Sequence, residues 1–276
     1  MRKISKSELI LEVAKGLKNV PGFLKRTQKL GRGLNKTEIN ILNEKTALET
    51  GREIGNYISF VYDELFFYDV YAKELLIKNL KSSIKSLLKI NHISAKKVLV
   101  VGLGNEKYAC DSLGKKVVEK ILITKPYLER DLFSNKKMAE LYAISLGVYG
   151  TTGLESSETI KSICSMLKPD LVIAVDSLVA SQAKSLSKSL QISDTKLMPG
   201  GGVGNDRQEV SENSLGVKVL AIGVPLVVKF DDKSNDLIVT PKDVEQKVDI
   251  LSKIIAKAIN LTFCKLTEKE YIELTF

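Results

Sequence analysis

Apolar residues recur at helical spacing in several stretches of the chain and form unbroken short runs in others. Between Ala72 and Ile90, Leu76, Leu80, Ile84, Leu87 and Leu88 return every three or four positions, which predicts an amphipathic helix. Ser156–Leu167 repeats the pattern with Ile160, Ile163, Cys164 and Leu167, and Leu113, Val117, Val118 and Ile121 mark a shorter helix. A last helix is predicted to start at Thr240-Pro241-Lys242-Asp243, with Val244, Val248, Leu251, Ile255 and Ile259 facing the core. Threonine suits the cap there, proline the first helical position, and an aspartate the positive end of the dipole.

Lys97–Leu103, Leu171–Val175 and Lys218–Ile222 are continuous apolar runs of strand length, as strands buried on both faces require. Glu38–Leu42 and Asn56–Tyr62 are rich in β-branched and aromatic residues and also read as strands. Lys45–Thr50 fits a short helix ended by Gly51, Ser177–Leu190 a polar helix, and Met138–Leu146 either a strand or a helix. Gly223-Val224-Pro225 is expected to turn the chain. Strands alternating with helices predict an α/β fold, a three-layer sandwich with a central, mostly parallel mixed sheet flanked by helices.

Composition narrows this picture modestly. A chain of 276 residues with 44% hydrophobic residues suits one large domain. No apolar run approaches the roughly 20 residues that span a bilayer, and the first residues lack a signal-peptide core, so a cytoplasmic protein is expected. Cys110, Cys164 and Cys264 are widely spaced and read as reduced thiols. Residues 1–36 hold ten Lys or Arg against only Glu8 and Glu12. They are set apart as a basic N-terminal segment with a short helix at Leu9–Leu17 and a hinge at Gly31-Arg32-Gly33, ahead of a single α/β domain over 37–276. The formal net charge is +9; the lysines are dispersed, so solvated helix faces are expected, with a functional basic patch for an acidic partner or nucleic acid as the alternative.

For chemistry, Gly102-Leu103-Gly104 follows a strand, yet Lys107 stands where a dinucleotide fingerprint needs its third glycine. The loop Pro199–Asn205 lacks the lysine and hydroxyl of a phosphate loop. His92, the one histidine, precedes the Lys97–Leu103 strand and so lies at the end away from the crevice where open α/β sheets bind ligands. That leaves carboxylates. Asp111 and Asp176 each follow a buried strand, and two carboxyl groups held together share a proton, which suits peptide hydrolysis. Loop-capping aspartates fit the same spacing, so the pattern by itself leaves the choice open.

VLVVGLGNEKYACDSLGKKVV (98–118), GVYGTTGLESSETI (147–160), KPDLVIAVDSL (168–178), QISDTKLMPGGGVGNDRQE (191–209) and LGVKVLAIGVPLVV (215–228) resemble, in order and spacing, the germination protease family of spore-forming bacteria. The resemblance covers roughly residues 37 to 262. It implies an endopeptidase that initiates degradation of small acid-soluble spore proteins during germination in the spore core or forespore. Its essential aspartates would be Asp111 and Asp176, acting by aspartic-type hydrolysis without metal or cofactor. Asp194 and the glycine loop (Gly200, Gly201, Gly202, Gly204, Asn205) are expected to shape the substrate cleft. The resemblance also implies a fold similar to the hydrogenase maturation proteases, a homotetramer, and a zymogen, with residues 1–36 a possible prosegment. No membrane association and no direct nucleic-acid contact are expected. Two alternatives stay open: a metal-dependent peptidase like the hydrogenase maturation enzymes, and a non-catalytic relative that binds spore proteins or DNA.

Overall fold

The computed structural model describes residues 7–14, 17, 20–130, 138–200, 207–231, 236–266 and 269–271. Its strands are β1 (Phe23–Gly31), β2 (Leu34–Ile41), β3 (Gly55–Val61), β4 (Lys97–Gly102), β5 (Glu140–Ser145), β6 (Leu171–Ala180), β7 (Ser189–Ser193), β8 (Val219–Asp231) and β9 (Asp236–Val239). The helices are α1 (Ile10–Val13), α2 (Glu44–Thr50), α3 (Val70–Ile90), α4 (Leu113–Val118), α5 (Lys125–Glu129), α6 (Tyr149–Thr152), α7 (Ser156–Leu167), α8 (Glu212–Leu215) and α9 (Val244–Phe263). Among the described residues the strands form one nine-stranded mixed sheet in the order β1-β2-β3-β7-β8-β6-β4-β5, with β9 on β8. The run β8-β6-β4-β5 is parallel; β1, β2, β3 and β7 extend it by antiparallel pairing.

Strand alternation divides the core between two faces. Val98, Val100, Ile173 and Val175 pack with Leu80 and Ile84 of α3, Val117 of α4 and Leu251 and Ile255 of α9. Leu99, Val101, Val172 and Ala174 turn the other way, against Ile160 and Cys164 of α7 and Leu215 of α8. The result is three layers, as the alternation of elements predicts. Gly51 ends α2 at φ 62°, as read, and Asn43, not singled out from the sequence, starts it by accepting the Thr46 N–H at 2.9 Å. No helix among the described residues is long and apolar enough to cross a membrane.

Four expectations need correction. First, β6 runs through Asp176 to Ala180, because Leu178 and Ala180 are buried with Leu9, Leu186 and Val228. The predicted polar helix over Ser177–Leu190 is absent. Ser187 sits at φ 55°, which breaks any helix, and the alternating Leu190 and Ile192 pair as β7. Second, Gly223-Val224-Pro225 does not turn the chain. β8 continues, and Pro225 falls where the β6–β8 register shifts between Leu178 and Val179, a bulge that tolerates a missing N–H.

Third, α9 begins at Val244, and the Thr240 hydroxyl donates to Leu226 O at 2.9 Å instead of capping a helix. Fourth, the boundary at residue 36 falls inside β2, and Gly31-Arg32-Gly33 is the turn of the β1–β2 hairpin. β1 escaped notice because six of its nine residues in a row are exposed, leaving no apolar alternation to read. Met138–Leu146, open between strand and helix, contains β5.

The parallel half positions the crevice. The last β4–β6 pair is Gly102 with Val175, and Leu103 N–H donates to Val175 O at 2.9 Å before the chain leaves the sheet. It returns as α4 in direct backbone contact. A β-carbon on Gly114 would lie 2.4 Å from Leu103 N and O, and one on Gly102 would lie 2.2 Å from Gly114 O. Gly102, the first glycine of the pseudo-fingerprint, thus serves helix-to-strand approach and not a nucleotide. Because the opposing atoms are all backbone, Gly114→Ala is expected to destabilise the fold by roughly 1–3 kcal/mol, the usual cost of overpacking. Urea unfolding would measure it, with a midpoint lowered at unchanged slope.

Candidate active site

Where β4 leaves β6, a cavity of about 630 Å³ opens at the carboxyl ends of the parallel strands. Asp111 reaches it from the 3-10 turn Ala109–Asp111 between β4 and α4, and Asp176 from β6. Gly104, at φ 105°, lets the loop fold back so tightly that a β-carbon there would meet Asp111 O at 2.2 Å and its Oδ1 at 2.8 Å. This return lets Asp111 Oδ2 accept the Asn105 N–H at 2.7 Å. Asp176 is only 5% exposed, and its Oδ1 accepts the N–H of Ser177 at 2.8 Å.

Burial dominates the electrostatics of both groups. Loss of solvent raises the Asp111 carboxyl to about 6, although its bond from Asn105 works the other way. Burial also pushes Asp176 well above the ordinary range, with further increments from the nearby charges of Asp111 and Glu8. Both groups therefore hold their protons to higher pH than ordinary carboxyls, and the two sites titrate as a unit.

The remaining expected site residues divide. Gly200 lines the cavity, at the tip of a loop closed by the Leu197–Val210 bridge. Gly201, Gly202, Gly204 and Asn205 lie outside the described residues. Asp194 is not at the cleft. β7 runs antiparallel to its neighbour β8, so its carboxyl end meets the amino ends of the parallel strands. There the Asp194 carboxylate accepts Asn56 N–H at 2.7 Å, Asn56 Nδ2 at 2.6 Å and Asn91 Nδ2 at 2.7 Å, tying β3 to the end of α3. His92 lies beside Asn91 in that same turn, before β4.

Other residues complete the cavity without having been singled out from sequence. Arg207 donates to Glu155 at 2.8 Å and stacks over Tyr149 with its guanidinium carbon 4.4 Å from the ring centre. It thereby ties the chain at Arg207 to α6 and the start of α7. The Ser177 hydroxyl lines the cavity, buried and without a hydrogen-bond partner. Glu8 comes from the far amino terminus. Its N–H donates to Val179 O at 2.9 Å, and its carboxylate accepts the Val179 N–H at 2.6 Å, so it occupies the edge of β6 that β4 has vacated. Glu12 holds the next stretch by accepting from Ser181 and Ser185 at 2.6–2.7 Å. Ser177 and Arg207 were visible as neighbours of the candidate residues. Nothing local signalled Glu8, which is brought here by a contact across 171 positions.

The geometry defines an α/β protein with a carboxylate-bearing cleft at the point where its parallel strands part. The family model for germination proteases matches residues 5–232, and the chain belongs to that family. It is 34% identical to the germination protease of Clostridium tetani, over 92% of both chains. The enzyme of Caldanaerobacter subterraneus subsp. tengcongensis is 32% identical over 88% of this chain and 89% of that one. Among solved structures, a [NiFe] hydrogenase maturation protease, HycI from Thermococcus kodakarensis, overlaps 60% of this chain and 94% of its own at 18% identity and a TM-score of 0.36.

The raised carboxyls carry a stability signature. A carboxyl whose folded pKa lies above its unfolded value binds its proton more tightly when folded, so stability is fully present below the unfolded value and is lost as pH rises through the folded one. For Asp111 that window runs from 3.8 to about 6, and Asp176, raised in the same direction, contributes with the same sign. Asp111→Asn and Asp176→Asn are therefore expected to raise the melting temperature at pH 7.5 while changing it little at pH 4. Thermal melts at the two pH values would check this; equal effects at both would contradict it.

Proposed function

We propose that the chain is an endopeptidase that initiates degradation of small acid-soluble spore proteins during germination, with Asp111 and Asp176 as its catalytic pair. The observation that carries this reading is the meeting of two desolvated carboxyl groups on one cavity, each raised above its ordinary range by burial. The ionised member removes a proton from water as it attacks the scissile carbonyl carbon. The protonated member donates to the carbonyl oxygen, and proton return to the amide nitrogen then expels the amine. The free edge of β6 beside Asp176 offers an extended substrate backbone its hydrogen bonds, as Glu8 already uses them.

The test is digestion of a purified small acid-soluble spore protein by wild type, Asp111→Asn and Asp176→Asn, with EDTA present and product masses recorded. Discrete cleavage lost in either folded variant is expected; cleavage that survives both would overturn the assignment. Because the pair must hold one proton, kcat/KM should fall on the acid side with an apparent pKa near 6 and fall again at higher pH as the shared proton is lost.

The same proposal covers the amino terminus as an inhibitory prosegment, since Glu8 lies on the cleft and on the edge a substrate would need. Removing residues 1–16 should raise the rate on the same substrate. An unchanged rate would count against inhibition while leaving the pair untouched.

A further inference from the structure

The outward face of α3 bears Lys78, Lys81, Lys85 and Lys89, of which Lys78, Lys85 and Lys89 are exposed and Lys81 partly so. The inward face is fixed by Leu76, Leu80, Ile84 and Leu87, all fully buried, so these lysines cannot rotate elsewhere. Among the described residues none of the four has a carboxylate within ion-pair distance. The one acid on the helix, Glu74, is taken by Lys257 at 2.9 Å. Lysines that look dispersed along the sequence are thus collected into a stripe about 16 Å long at 1.5 Å per residue.

This arrangement opposes helix stability, because like charges four residues apart repel. Burial and the charge of Lys85 both depress the Lys81 amine, a sign that the repulsion is felt. The residues between the lysines on this face are the exposed Ser82 and Ser86. A protein partner would call for aromatic, Met or Arg anchors, and lysine is depleted in such interfaces. A lipid surface would call for large apolar side chains along the stripe, and a single-stranded nucleic acid for stacking aromatics. Neither occurs on this face between Lys78 and Lys89; the exposed Tyr71, two turns earlier on the same face, is taken by Arg32, whose guanidinium carbon lies 4.7 Å from its ring centre. Small hydroxyls and evenly spaced ammonium groups match a row of phosphates, and duplex DNA presents one charge per about 1.7 Å of its axis.

We propose that the outer face of α3 docks the phosphate backbone of double-stranded DNA, without regard to sequence. The stripe is separate from the cavity, so this binding does not depend on the proposed proteolysis. It replaces the expectation of solvated helix faces and of no nucleic-acid contact at this one surface.

The experiment is fluorescence anisotropy of the full chain with a labelled duplex of arbitrary sequence across a KCl series. The variant Lys78→Gln/Lys81→Gln/Lys85→Gln/Lys89→Gln is compared with a control of equal charge, Lys25→Gln/Lys29→Gln/Lys161→Gln/Lys184→Gln. Gln is close to Lys in helix propensity, and circular dichroism verifies that both fold. An all-Arg version of the stripe serves as a charge-retaining rescue. Wild type should bind at low salt, and the stripe variant should lose about 3–4 from the slope of log K against log salt, near 0.9 per phosphate. The control should keep most of the slope and the Arg variant all of it. The proposal is overturned if wild type binds no duplex, if the stripe variant keeps the wild-type slope, or if the control loses as much. It is equally overturned if anionic vesicles are bound and the duplex is not, or if the stripe variant instead changes the sedimentation of the protein.

Discussion

Two carboxyl groups repel when both are ionised, and water is the ordinary remedy. Here solvent is withheld from them by the way the backbone closes. Gly102 and Gly114 bring the start of α4 onto the ends of β4 and β6, and Gly104 folds the intervening loop back on Asp111. Asp176 has no freedom to retreat, since it lies within a strand paired on to Ala180. The repulsion is therefore relieved by keeping a proton, which is the state the proposed hydrolysis uses. Most of the parallel half of the sheet can be understood as the rigid frame this unfavourable arrangement requires.

The antiparallel half has a different relation to the site. β7 returns along β8 and delivers Asp194 to the far end of the sheet, where it ties β3 to α3. The same half carries β1, whose exposed faces add little to the core. Chemistry and extension are thus separated across β8, which pairs in parallel with β6 on one side and antiparallel with β7 on the other.

Much of this was legible in the sequence because the signals were local. The three- and four-residue spacing of α3 and α7, the apolar runs of β4 and β6, and the end of α2 at Gly51 each depend on a few neighbouring residues. Asp111 was legible as a carboxylate in the loop after a buried strand, and Asp176 as the carboxylate ending the apolar run Leu171–Val175, although the strand itself runs on past it. What was hidden depended on distant partners. Ser177–Ala180 stay in the sheet because β8 runs beside them and Leu9 and Leu186 cover them, which no window of sequence contains. Pro225 reads as a turn unless its bulge is known, and Asp194 reads as a cleft residue unless the direction of β7 is known. Glu8 had no local signal at all.

The contact of Glu8 with Val179 also bears on how strongly any peptide can be held. In the proposed reaction, a peptide seeking the edge of β6 would compete with Glu8 of the same molecule. Only molecules with that edge vacant would bind, and the apparent affinity would be reduced by that fraction. The Michaelis constant of such an enzyme would then be partly a property of its own amino-terminal segment.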